Sequence, residues 1–209
     1  MRTILFRSAT PLRTRRSRIG GFSMVELAVS MTVLLILSAI AIPSLMHSLR
    51  TYQLNDAAAR LSDMLKFTRF EAVRRNRAVP FQLQQFGNDW VAWADPDNDA
   101  NLEPIEKQVR ISGFVTLLPA GGGPPAPTAI TNANAVGALS ATPANPGPLQ
   151  FDARGAVRVN NTLTSNVYVF YVGGAANPDE YGYRAVILLP SGATQIWSAP
   201  AGRPWKRTG

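Results

Sequence analysis

Gly21-Phe22-Ser23-Met24-Val25-Glu26-Leu27 opens an apolar run that continues through Ile42-Pro43 to Leu49, and Glu26 is its only charge before Arg50. An α-helix rises about 1.5 Å per residue, so about 20 such residues cross a bilayer core of roughly 30 Å. The run is therefore predicted to be a membrane helix over 22–49. Pro43 lies near its far end and is expected to kink it, because proline removes a backbone donor and crowds the preceding turn. A carboxylate inside such a helix is costly unless paired, which marks Glu26 as a functional residue.

Upstream, the chain changes character. Residues 1–21 carry six arginines and no acid, a large part of the net charge of +8. The remaining residues hold 15 basic and 13 acidic side chains, so the high overall charge does not by itself indicate nucleic-acid binding. A basic flank beside an apolar helix stays on the cytoplasmic side. An ordinary secretory signal is cut after its apolar region, at small residues. Ser44-Leu45-Met46-His47 is a poor match to such a site. The Gly20-Gly21-Phe22 junction precedes the run, and a cut there removes the charges and leaves the helix at the new N-terminus. The chain has no cysteine, which excludes disulfides and thiolate metal sites.

Downstream, residues 50–78 read as an amphipathic stem. Leu54, Ala58, Leu61, Leu65, Thr68 and Ala72 recur at alternating spacings of four and three, one face of a helix. Arg60, Lys66, Arg74 and Arg77 fall off that face among Asp56, Asp63 and Glu71, as on a solvated surface. An apolar stripe needs a partner, and residues 79–198 supply a β-rich head. Strands are expected at 79–86, 90–94, 107–118, 150–152, 156–159, 166–172, 183–190 and 193–197. Residues 119–149 are rich in Gly, Pro, Ala, Thr and Asn and read as a long loop. Residues 199–209 read as a loose basic tail. The fold class is α+β: a long N-terminal transmembrane and stem helix, then a small antiparallel β head.

The basic leader, the Gly21-Phe22 junction, Glu26, the uncharged helix and Pro43 together resemble the N-terminal signal of type IV pilins and type II secretion pseudopilins. The head is similar to the GspH/FimT branch of that family. The carrying segments are Trp90-Val91-Ala92-Trp93-Ala94-Asp95 with its acidic loop, Phe151-Asp152-Ala153-Arg154-Gly155, and a late hairpin at Ser191-Gly192. Where the branch often has Gly-Arg-x-Arg in that hairpin, this chain reads Gly192-Ala193-Thr194-Gln195.

The resemblance implies cleavage between Gly21 and Phe22 by a prepilin peptidase that also methylates the new Phe22 amine. It implies that Glu26 pairs with that amine, on its own or a neighbouring subunit, and that Pro43 belongs to the assembling helix. Other pilin or pseudopilin subunits are the implied partners. The implied location is a bacterial inner membrane, crossed once, with the head periplasmic or in an extracellular filament. Type II secretion pseudopilus and type IV pilus both remain open. So does a FimT-like minor pilin that binds DNA for uptake.

Two further segments carry chemistry. Asp95, Asp97, Asp99, Asn101 and Glu106 fall at positions 1, 3, 5, 7 and 12 of a calcium-loop spacing, with Ala100 where that loop needs glycine. No other cofactor is expected. Arg203, Trp205, Lys206 and Arg207 mix cations with an aromatic ring, a combination able to hold phosphates and stack on a base, or to meet an acidic partner. Enzyme chemistry lacks parts. His47, the single histidine, lies at the membrane end of the stem, and Gly121-Gly122-Gly123 leads into prolines rather than a helix.

Overall fold

The computed structural model describes residues 21–111, 113–118, 135–136, 149–163, 165, 167–176, 178–200 and 203–209. The expected leader lies outside these residues apart from Gly21, and the expected 119–149 loop does so apart from 135–136 and Leu149. Helix α1 runs unbroken from Met24 to Arg75 and passes through Pro43. By contacts the chain forms two units, Met1–Pro43 and Ser44–Gly209.

In the first unit the helix satisfies its own polar groups. Ser30 Oγ donates to the Glu26 carbonyl at 2.7 Å, Thr32 Oγ1 to the Ala28 carbonyl at 2.9 Å, and Ser38 Oγ to the Leu34 carbonyl at 2.7 Å. Hydroxyls bonded back one turn ask for no water, which leaves Glu26 as the polar side chain of this segment to be accounted for. The helix is long and apolar enough to cross a membrane, and its most apolar 18-residue window has no buried share.

In the second unit the same helix is a core element. Leu54, Ala58, Leu61, Leu65, Thr68 and Ala72 are all fully buried, and Ala57, Ser62, Met64 and Glu71 widen the face. The helix stops at Arg75, three residues before the expected end of the stem. Asn76 takes a left-handed φ of 50°. Its N–H donates to the Val73 carbonyl and that of Arg77 to the Ala72 carbonyl, a helix-ending pair of bonds in which asparagine stands where glycine is usual.

Two sheets receive this face. In the first, the spatial order is β3 (Gln108–Ile111), β2 (Asp89–Ala94), β1 (Val79–Phe86), β6 (Leu149–Phe151), β7 (Val157–Val159) and β8 (Thr162–Leu163). The second runs β12 (Lys206–Arg207), β11 (Thr194–Ala199), β10 (Tyr183–Leu188), β9 (Val167–Gly174) and β4 (Val115–Leu118). Pairing within both paths is antiparallel; the short β5 (Ala135–Val136) pairs parallel with β9. A single turn of helix, α2 (Pro178–Tyr181), links β9 to β10.

The second sheet is buried on both faces. Tyr168, Phe170 and Val172 of β9 join the core around α1, whereas Val167, Val169 and Tyr171 form a second cluster with Ala185 and Ile187. Trp197 and Trp205 pack on that second cluster. The tail is thereby tied down, contrary to expectation. Trp197 pairs with Arg207 and Ser198 with Lys206, and the Ile196 N–H donates to the Gly209 carbonyl at 3.0 Å. The physical reason is the second face of β9, which needs a cover.

Two turns of the head meet over one side chain of α1. Arg69 Nε donates to the Gly155 carbonyl at 3.1 Å. Gly155 and Gly192 both have left-handed φ, 77° and 79°. A Cβ on Gly192 would stand 2.2 Å from the Gly155 carbonyl oxygen and 2.9 Å from the Arg69 side chain. Gly87 also has φ +62°, but nothing lies within 4 Å of a Cβ there. Gly192→Ala is therefore expected to cost about 3 kcal/mol or more, and Gly87→Ala about 1–2 kcal/mol, since only the first adds overpacking to backbone strain. Denaturant unfolding of the two variants measures this, and equal losses would refute the close-approach reading.

Candidate functional site

The N-terminal segment carries the expected processing and assembly residues. Gly21 and Phe22 precede the helix and are exposed. Ser23 caps the helix: its hydroxyl accepts the Glu26 N–H at 3.1 Å and its carbonyl accepts the Leu27 N–H at 3.0 Å. Ser23-Met24-Val25-Glu26 has the spacing of a capping box, which puts Glu26 in the first turn at the positive end of the helix dipole. That signal was present in the sequence and gives Glu26 a local role that sequence reasoning missed. Its side chain remains exposed, within a run of exposed apolar residues.

The acidic loop between β2 and β3 is organised by Asp95, which is fully buried. One carboxylate oxygen accepts the Asn98 and Asp99 N–H groups, at 2.6 and 3.2 Å; the other accepts Ala100 N–H and Gln82 Nε2, both at 3.0 Å. Held in this way, Asn98 and Ala100 take left-handed φ of 64° and 62°. The turn that calls for glycine is thus made by alanine. Asp97 and Asp99 are exposed, and one oxygen of each lies within 4.8 Å of one from Asp95. The Asp95 carboxyl beside it raises the pKa of Asp97, with burial and Asp99 adding to this. Asp99 is lowered by the Asn101 side-chain amide, which bonds to it at 3.0 Å.

Glu106 is buried. Its Oε2 accepts the Glu103 N–H at 3.0 Å, while its Oε1 has no partner among the described residues. Burial pushes its pKa up to about 7, and Asp95, Asp97 and Glu103 add to the rise. With Asp97, Glu103 and Ile105 it lines a cleft of about 400 Å³ against Phe67, Glu71 and Arg74 of α1. Across that cleft Glu71 is held below its ordinary range by its bonds to Arg74 and Arg75, at 2.7 and 2.9 Å.

In the tail Arg203, Lys206 and Arg207 are exposed, but the Trp205 ring packs 6.1 Å from the Tyr171 ring, centroid to centroid. A buried cation went unnoticed in the sequence. Arg184 of β10 is buried and donates to Asn55 Oδ1 of α1 at 2.6 Å. Burial lowers its pKa, and it ties the second sheet to the helix.

Residues 57–192 match the family described as Type II transport protein GspH, and residues 16–42 match the prokaryotic N-terminal methylation motif. The chain belongs to the GspH family. Among solved structures, the chain is similar to the minor pseudopilin EPSH from the type II secretion system of Vibrio cholerae. It is 14% identical, with a TM-score of 0.40 over 72% of this chain and 96% of that one. No curated protein matches. The GspH match spans most of the buried half of α1, the first sheet, β4, β9 and β10 of the second, and the Gly155 and Gly192 turns, and the methylation match spans the capped N-terminus of α1.

The raised Glu106 pKa has a consequence for stability. The folded state keeps its proton up to about pH 7, against an ordinary value of 4.5. Across that window the folded chain binds more protons than the unfolded one, so stability is full below it and falls as pH rises through it. Glu71 acts in the opposite sense and only at lower pH, because its shift is downward. With divalent cations chelated, the Tm is expected to fall between about pH 5 and about pH 8, and Glu106→Gln to flatten that slope. A parallel slope in the variant would assign the effect elsewhere.

Proposed function

We propose that this GspH-family chain is a minor pseudopilin of a type II secretion machine, a structural subunit rather than a catalyst. A prepilin peptidase removes residues 1–21 and methylates Phe22. The apolar part of α1 then passes from the inner membrane into the helical bundle of a pseudopilus, and the β head is carried on the periplasmic side. The observation that carries this reading is an N-terminal helix that is internally satisfied, apolar and without any buried share in its membrane-length window, joined to a head that buries the rest of it. A surface of this kind needs lipid or other apolar helices around it. Secretion is favoured over pilus assembly by the description of the matched family.

A DNA-receptor role has less behind it. The cations Arg203, Lys206 and Arg207 are exposed, but the aromatic ring that would stack on a base is engaged with Tyr171. The acidic-partner use of Arg203 and Arg207 asks for no free ring and remains compatible with subunit assembly.

Two tests bear on the proposal. Mass spectrometry of the mature chain is expected to find a Phe22 start heavier by one methyl group; an intact N-terminus, or a cut beyond Ala41, would sink it. Glu26→Ala is expected to be cleaved normally but to enter filaments at least about tenfold less, a difference of about 1.4 kcal/mol. Wild-type incorporation of that variant, scored by crosslinking to neighbouring subunits, would remove Glu26 from assembly.

A further inference from the structure

Where the apolar run of α1 ends, two rings of the head close on the helix. His47 and Arg50 lie one turn apart, on the face that continues to the buried Leu54. The Arg50 guanidinium carbon stands 4.5 Å from the centre of the Phe114 ring. Phe114 meets the Tyr181 ring edge to face at 5.0 Å, and the Tyr181 ring lies 5.3 Å from that of His47. Phe114 precedes β4 and Tyr181 closes α2. The Ala175 N–H joins the two segments by donating to the Phe114 carbonyl at 2.8 Å.

The opposite face of the same stretch of helix is exposed. Leu45, Leu49 and Tyr52 recur at spacings of four and three, and Tyr52 is 68% exposed. Between residues 45 and 52 the helix thus carries rings and a cation on the head side, and leucines with a tyrosine on the other. Tyrosine has an apolar body and a polar tip, and arginine an apolar stem and a charged head. Such side chains settle at the boundary between hydrocarbon and water.

Depth agrees with composition. Arg50 follows Glu26 by 24 residues of unbroken helix. At about 1.5 Å per residue this is about 36 Å. A bilayer has a hydrocarbon core of about 30 Å and a full thickness of about 40–45 Å. With Glu26 at one boundary of the core, Arg50 falls in the headgroup layer on the far side.

We infer that His47, Arg50, Tyr52, Phe114 and Tyr181 dock the head on a phospholipid headgroup layer, with Leu45 and Leu49 in the edge of the hydrocarbon. Asp179 and Glu180 are exposed on α2 beside Tyr181. The surface therefore carries both signs and suits a zwitterionic layer, where Arg50 meets phosphate and the carboxylates meet ammonium groups. The inference rests on the membrane-anchored reading of α1 and gives the head of the unassembled subunit a fixed depth. A head held in this way meets its neighbours in one orientation, which lowers the ordering cost of joining them.

The chain has no cysteine, so single introduced cysteines place a nitroxide label at one position each. The full-length chain is reconstituted in phosphatidylethanolamine–phosphatidylcholine vesicles with the label at Val33→Cys, Gln53→Cys or Lys66→Cys. Depth is read from the relative access of oxygen and of a water-soluble nickel complex. The expected depths are hydrocarbon for the first label, headgroups for the second and water for the third. Tyr52→Ala is expected to raise nickel access to the second label severalfold and, being an exposed substitution, to leave the Tm in micelles unchanged. Arg50→Gln is expected to raise that access as well, and added phosphatidylglycerol to change none of the depths. A first label in water would sink the membrane anchor itself. With that label in hydrocarbon, the docking alone is overturned by any of four results. These are a second label as accessible as the third, no response to either substitution, docking that requires phosphatidylglycerol, or shielding that appears only at high protein-to-lipid ratio and so comes from neighbouring subunits.

Discussion

Between Leu54 and Ala72 one face of α1 loses contact with water, and both sheets are placed by that loss. Fully burying a leucine-sized side chain contributes about 1.5–3 kcal/mol, and the face contains Leu54, Leu61, Met64 and Leu65, each at most 1% exposed. Phe81 and Phe151 approach it from the first sheet, and Phe170 and Val186 from the second. The Phe81 and Phe170 rings meet edge to face at 6.0 Å, so the sheets touch each other as well as the helix. Arg69 stands one residue beyond Thr68 and reaches the rim, where the Gly155 and Gly192 turns close over it. The axial position of both turns therefore follows from the register of the helix.

Much of this was legible in the sequence because burial follows period. The six-residue stripe named from its spacing is fully buried, and most strands lie within a few residues of where apolar runs and turn residues placed them. What escaped was set by contacts between distant segments. Val167-Tyr168-Val169-Phe170-Tyr171-Val172 is an apolar run without alternation, the pattern of a strand covered on both sides. The covering segment was read locally, as cations and proline, and so as loose. Trp205 and the Ile196–Gly209 bond decide otherwise. The two-residue strands β5, β8 and β12 carry no periodicity and could be found only through their partners.

The acidic loop divides in the same way. Its spacing was visible, and so was the missing glycine at Ala100. Invisible was the burial of Asp95, whose four accepted hydrogen bonds hold Ala100 at φ 62° and so offset the strain that counted against the turn. A polar residue that reads as a ligand in sequence acts first as the organiser of its own backbone. Glu106 shows the converse. Placed by spacing at the end of the loop, it is buried beside a cleft that Phe67 of α1 also lines, which no local pattern announces.

Glu26 joins the two halves of α1 in one energetic problem. A carboxylate in the first helical turn gains about 0.3–1 kcal/mol from the helix dipole. An ionised side chain at the centre of a bilayer costs roughly 2.5–3.5 kcal/mol. The Ser23 cap and the helix end thus offset part of the cost of taking Glu26 into an apolar surround, and a cation must supply the rest. The hydroxyls of Ser30, Thr32 and Ser38 along that segment are bonded to their own helix. No lysine or arginine lies between Gly21 and Arg50. Under the proposed processing, that cation is the amine of Phe22, which exists only once the Gly21–Phe22 bond is cut. In the proposed function, processing therefore does more than free the helix: it also creates the charge that pairs with Glu26 in a bundle of apolar helices.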